Sequence, residues 1–178
     1  MARTQSYERS ISPSAAVGSR YRYRGVPAPD PAVARAEELL SLLAQHKRMI
    51  SLRSSRLRAL SLELNERVAQ AFCDGVKVAP LARAAGLPAA TVRVIGAQDE
   101  LYPSGQSPEA HLRTITTLAA EVESVEAART AVEQTRAGVL ATARKLRLLD
   151  DYQLAAASGL KHEEIRKVTR GITTPQAS

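Results

Sequence analysis

Three observations in the sequence predict an all-α fold. The apolar stock is Ala, Leu and Val, with aromatic residues at 3% and no Trp, whereas a β-sandwich draws on β-branched and aromatic side chains. Two long stretches repeat apolar residues every seven positions, the periodicity of long helices in coiled-coil-like contact. Two segments, 78–95 and 151–168, align without a gap when Gly86 is set on Gly159.

In chain order, residues 1–31 are expected to form a flexible basic arm. They carry Ser, Gly, Pro and Arg without apolar periodicity and end in Pro27-Ala28-Pro29-Asp30-Pro31. Such a composition buries too little surface to offset the entropy of ordering. Within the arm, Ser19-Arg20-Tyr21-Arg22-Tyr23-Arg24-Gly25 alternates cations and rings. Arg20, Arg22 and Arg24 suit a phosphate backbone or a minor groove, and Tyr offers a stacking face. A solvated tail that aids solubility is the equal alternative.

Residues 32–98 make the first unit. Asp30 can cap a helix that Pro31 opens, and neither Pro nor Gly follows up to Ala71. Ala36, Leu43, Ile50, Leu57, Leu64 and Ala71 recur every seven residues. The companion line of Leu40, Lys47, Ser54, Ser61 and Val68 is apolar only at its ends. That argues against a simple two-stranded zipper and for a bend, a break near Ser54-Ser55, or packing in a bundle. Residues 99–107 are a linker with Pro103 and Gly105. Residues 108–172 repeat the plan, since Ser107-Pro108-Glu109 starts a second long helix. There Leu118, Val125, Val132, Val139 and Leu146 recur every seven residues. Residues 173–178 are a polar tail. The offset that aligns the two glycines does not superpose the two seven-residue lines. The duplication is therefore clear for the short segments and only suggested for the long helices.

In the aligned segments, Leu81 matches Leu154, Ala82 matches Ala155 and Leu87 matches Leu160; Val92 matches Ile165 and Ile95 matches Val168. Two helices crossing steeply over a short turn need a small residue at the crossing and a glycine at the turn, with aliphatic side chains filling the wedge. Both segments resemble the helix-turn-helix superfamily of bacterial and phage DNA-binding proteins. The likeness covers a small part of the chain. It implies that the second helix of each copy enters a DNA major groove.

The second copy offers Lys161, His162, Arg166, Lys167 and Arg170 as base readers. Arg suits guanine, and a helix start also favours an anion. Glu163 and Glu164 are dipole partners or cytosine readers, and they repel phosphate. Arg144, Lys145 and Arg147 suit backbone clamping. The first copy offers only Thr91 and Arg93 among Ala89, Ala90, Val94 and Ala97, so it reads bases poorly; its bland face packs equally well on protein. Arg83 is placed to hold a phosphate. Lys47, Arg48, Arg53, Arg56 and Arg58 follow one another with no acid between. They make a second nucleic-acid contact, or pair with Glu121, Glu123 and Glu126, within one chain or between chains.

The 178-residue chain has a formal net charge of +7 and a pI of about 10.0, which implies a polyanionic partner. The excess of Arg over Lys, with abundant Ala, fits GC-rich bacterial or phage coding. A single cysteine, Cys73, allows no internal disulfide and fits a reducing compartment; beside Phe72 it is expected to be a small buried residue. There is no 18-residue apolar run, so no membrane span is expected. The start lacks the apolar core of a secretion signal, and the expected location is cytoplasmic and nucleoid-associated. No phosphate loop, metal-spaced His/Cys cluster or catalytic triad is present. No enzyme, catalytic residue, cofactor or metal is therefore expected. The expected function is binding of double-stranded DNA, as a transcriptional regulator or a chromosome- or phage-associated factor. Its two segments would engage two half-sites in one chain, or the long helices would build a homo-oligomer. The alternative is a structural or protein-interaction factor, such as a phage assembly protein, with the segments as docking modules.

Overall fold

A computed structural model of the chain describes residues 30–97, 101–170 and 172. It is all-helical among these residues, with α1 Pro31–Cys73, α2 Val78–Ala85, α3 Ala89–Gly96, α4 Pro108–Leu146, α5 Asp151–Ser158 and α6 His162–Thr169. The long helices start as the caps dictate. Asp30 Oδ1 accepts from Ala32 N at 2.9 Å and Ser107 Oγ from Ala110 N at 3.3 Å, with Pro31 and Pro108 in the first turns. α1 runs unbroken through Ser54-Ser55 for 43 residues, roughly 65 Å of helix.

The two long helices lie antiparallel. One core joins Leu64, Val68 and Ala71 of α1 to Ile115 of α4, with Leu81 and Ala85 of α2 and Val92 of α3. The other joins Leu39 and Leu43 of α1 to Leu140 and Ala143 of α4, with Leu154 of α5 and Ile165 of α6. Each end of the long hairpin thus carries one pair of short helices, and each core is built from both halves of the chain. The second half reproduces the first: α4 ends 73 residues after α1, and α5 and α6 begin 73 residues after α2 and α3. The contacts exchange in the same way. α2 touches α4 as α5 touches α1, and α3 touches α1 as α6 touches α4.

This arrangement explains the polar middle of the companion line. Leu40 and Val68 lie under the short-helix pairs. Lys47 lies exposed against the end of α5 and Ser61 exposed nearer the middle, with Ser54 half-buried. The line that α1 turns to α4 alongside Leu43, Ile50, Leu57 and Leu64 is instead Leu39, His46, Arg53 and Leu60. Leu39 and Leu60 are buried, and His46 and Arg53 are half-buried. On α4, Leu118, Val125, Val132 and Val139 are half-buried, but Leu146 is 48% exposed because the helix ends there. Near the hairpin's middle Arg56 pairs with Glu121 at 2.5 Å, within the chain.

The linker is held more tightly than its composition suggests. Asp74 accepts from Ser104 N at 2.7 Å and from the Ser104 hydroxyl, and lies 2.7 Å from His111 Nε2. Gln70 donates to the Tyr102 carbonyl at 3.0 Å. Cys73, expected as a simple buried residue, is half-buried and donates from Sγ to the Leu101 carbonyl at 3.2 Å. Residues 101–107 are thereby tied to the end of α1, which sets where α4 begins.

Candidate nucleic-acid interface

The two short-helix pairs share one turn chemistry. Gly86 and Gly159 adopt φ of 66° and 72°, a left-handed conformation that a Cβ penalises. The axes of α2 and α3 are bent 107° from each other. Leu81 and Val92 close the first wedge, and Leu154 and Ile165 the second, all at or near zero exposure. The α5 start is the better capped: Asp150 Oδ1 accepts from Gln153 N at 2.7 Å, and Gln153 returns the bond at 3.0 Å. α2 has no side-chain cap. The match between copies fails at one position. Ile95 packs on its core, whereas Val168 is 38% exposed, so among the described residues Ile165 is the buried contact of α6.

On α6 the expected cations are accessible. Lys161, Arg166, Lys167 and Arg170 are exposed, away from buried Ile165. Two neighbours temper them. Arg166 lies 3.8 Å from Asp151, with both groups well exposed, so that pair is weak. Glu164 Oε2 accepts from Lys161 N at 2.8 Å. It is therefore occupied in capping the helix, not free to read cytosine. His162 is half-buried, its ring 5.2 Å from Tyr152 in an edge-to-face contact. It is a support for the helix start more than a free reader. Tyr152 itself is 80% exposed.

Several cations outside α6 serve the fold. Arg144 donates to Thr169 Oγ1 at 2.8 Å and holds the end of α6 on α4. Lys47 donates to the Ala156 carbonyl and Arg136 to the Ser158 carbonyl, each at 3.3 Å. Both reach the C-terminal end of α5, where the helix dipole favours a cation. Burial pulls the Arg136 guanidinium below its ordinary value, against Glu133 and Glu164, which raise it. Burial also pulls His46 below its ordinary value, with the nearby Arg136 charge adding to the effect. His46 Nδ1 is buried without a hydrogen-bond partner. Arg56 is committed to Glu121, while Arg48 and Arg58 stay exposed.

On the first pair, Arg83, Thr91 and Arg93 are exposed, beside exposed Ala89, Ala90, Val94 and Ala97. Arg83 borders a cleft of about 560 Å³ whose α4 wall includes Glu123 and Glu126. A second cleft, about 590 Å³ and walled by α1 and α5, carries Lys47 and Arg48. The two ends are alike in backbone and opposite in local charge. Arg20, Arg22 and Arg24 fall outside the described residues. Among the described residues no cluster of three metal-ligating groups occurs, and no single helix is long and apolar enough to cross a membrane.

The sequence pointed to most of the exposed cations through their spacing from the core positions. It missed Asp74 and His111, which meet across 37 positions of sequence and have no local pattern. Comparison with known proteins finds no match among family models, curated proteins or solved structures.

Proposed function

We propose that the chain binds double-stranded DNA through two helix-turn-helix units, α2–Gly86–α3 and α5–Gly159–α6, with α6 as the principal reader. The observation that carries this is the set of four exposed cations on and beside α6, opposite the buried Ile165. Lys161 and Lys167 hold phosphates; Arg166 and Arg170 reach base edges, where Arg is suited to guanine. Thr91, Arg93 and Arg83 add contacts at the other end. The net charge of +7 supplies the general attraction to a polyanion. A transcriptional regulator or a chromosome- or phage-associated factor fits these properties. The rival is a protein-interaction factor, favoured by the bland face of α3, where Val94 is 57% exposed.

The test is binding of random duplex across a salt series, followed by site selection. Affinity should fall with a log–log slope of about −0.9 per phosphate neutralised. Arg166→Ala should cost about 1–3 kcal/mol at the selected site and relax its preference there. Arg93→Ala should weaken selected and random duplex about equally. No loss from either variant, with the fold intact, transfers the function to the protein-interaction alternative.

A further inference from the structure

The hairpin does more than carry two DNA-binding units; it fixes how they stand to each other. We infer that the chain engages DNA as an internal pseudo-dimer: α6 and α3 address two major-groove segments on one face of a duplex, about one turn apart and in inverted orientation, with unequal strength and without a second copy. This rests on the DNA-binding function proposed above.

The inverted orientation follows from the topology. The second half repeats the first at a 73-residue offset, and its long helix runs antiparallel. Exchange of α1 with α4 is a rotation about an axis perpendicular to the plane of the hairpin. That rotation carries α3 to α6 and α2 to α5, as the exchanged contacts require. A dimeric regulator uses the same symmetry to match an inverted repeat. Here one chain supplies both halves.

The two units also stand on the same side. The cleft beside α5 is lined by Ala44, Lys47 and Ser51 of α1, and the cleft beside α2 by Ser61 and Asn65 of α1. Ala44, Ser51 and Asn65 are separated by multiples of seven residues, as are Lys47 and Ser61. Seven residues make nearly two full turns, so both clefts open along one side of α1. Their spacing is set by the same helix. The α1 residues of one core lie 21 to 32 residues from those of the other, about 32–48 Å of helix. Successive major-groove segments on one face of B-DNA lie about 34–36 Å apart.

The halves are unequal in chemistry. The α6 half presents Lys161, Arg166, Lys167 and Arg170, partly offset by Asp151 and Glu163. The α3 half presents Thr91 and Arg93, with Arg83 on a cleft that Glu123 and Glu126 also line. The α6 half reads sequence, and the α3 half anchors on phosphate and thymine methyl groups. Between the units the same side of α1 offers Ser61 and exposed Arg58, which continues the line of Ala44, Ser51 and Asn65, while Lys47 is engaged with the Ala156 carbonyl.

The experiment uses the full chain and the duplex enriched by selection. Sedimentation equilibrium gives the stoichiometry, and hydroxyl-radical footprinting gives the contacts. A 1:1 complex protecting two patches one turn apart on one face supports the inference. Inserting about 5 bp between the patches turns one half to the far side, and about 10 bp moves it a full turn beyond the reach of the fixed hairpin, so either insertion should lower affinity at least about tenfold. Arg93→Ala should weaken the full site but leave unchanged a duplex carrying only the α6 half. A single protected patch in a 1:1 complex, indifference to the insertion, or two patches only in a 2:1 complex overturns the pseudo-dimer and leaves DNA binding standing. Failure to retain any duplex at low salt overturns both.

Discussion

Gly96, the last residue of α3, is where the first short-helix pair comes closest to α1. A Cβ built on it would stand 2.5 Å from Cγ and Cδ1 of Phe72 and 3.0 Å from its Cβ. Those are ring atoms next to the backbone of α1, not the end of a flexible chain. In Gly96→Ala either the ring turns away or α3 lifts by roughly 1 Å, and closely packed interiors resist both. Overpacking of this size costs about 1–3 kcal/mol. The better helix propensity of Ala returns less than about 1 kcal/mol, since Gly96 sits at a helix end. A net loss of about 1–2 kcal/mol should appear in urea unfolding followed by circular dichroism. Phe72→Leu removes the ring, so Gly96→Ala should cost less in that background, and the double-mutant cycle reports the coupling. An unchanged or raised stability for Gly96→Ala alone, or strict additivity with Phe72→Leu, would refute this packing. The corresponding position of the second copy, Thr169, already carries a side chain and bonds it to Arg144, so Thr169→Gly should destabilise rather than relieve.

Two further predictions concern pH. His46 is held below its ordinary value of 6.5, first by burial and then by Arg136, so its neutral ring favours the fold. That contribution is complete above the unfolded value and declines as pH falls below it. Arg136 of α4, whose charge acts on His46, is cationic. The thermal midpoint should therefore drop from about pH 7 to about pH 5, and His46→Leu should flatten that part of the profile. Asp74 is held below its ordinary value of 3.8, chiefly by the Ser104 hydroxyl. Its ionised form supports the fold above that value, and the support is lost as pH falls below it. Asp74→Asn should flatten the acid limb of the stability profile and expose residues 101–107 to proteolysis at neutral pH; an unaltered limb and digest would show that the linker is held otherwise.

The helices themselves were legible because caps, prolines and glycines act locally. Asp30-Pro31, Ser107-Pro108, Gly86 and Gly159 each fix a boundary within a few residues. The seam between the long helices was legible only in part. Its first line holds Leu43 and Leu64, but its second line includes His46 and Arg53, which look like surface residues until α4 covers them. The line of Leu40, Lys47 and Val68 is apolar at its ends because the short helices cover it there. Val168 matches Ile95 by spacing, yet among the described residues it is left 38% exposed. Cys73 and Asp74 depend on a linker whose fold no periodicity describes. Among the candidate readers, exposure followed from spacing, whereas the capping by Glu164 and the edge-to-face contact of His162 with Tyr152 required the folded positions of both partners.

Each core takes its side chains from opposite ends of the sequence, and this bears on how the protein is made. Leu39 and Leu43 are synthesised roughly a hundred residues before Leu140, Ala143 and Leu154, which cover them. Until α4 emerges, the start of α1 has no core to join, whereas the other end can already gather Leu64, Val68, Leu81 and Val92. Folding on the ribosome should thus begin at the α2–α3 end and close at the α5–α6 end. A chain stopped within α4 would keep one end assembled and leave Leu39 and Leu43 open to chaperones or to another nascent copy. The duplicated unit of sequence is therefore not a unit of folding, and cutting the chain between its repeats would free neither half.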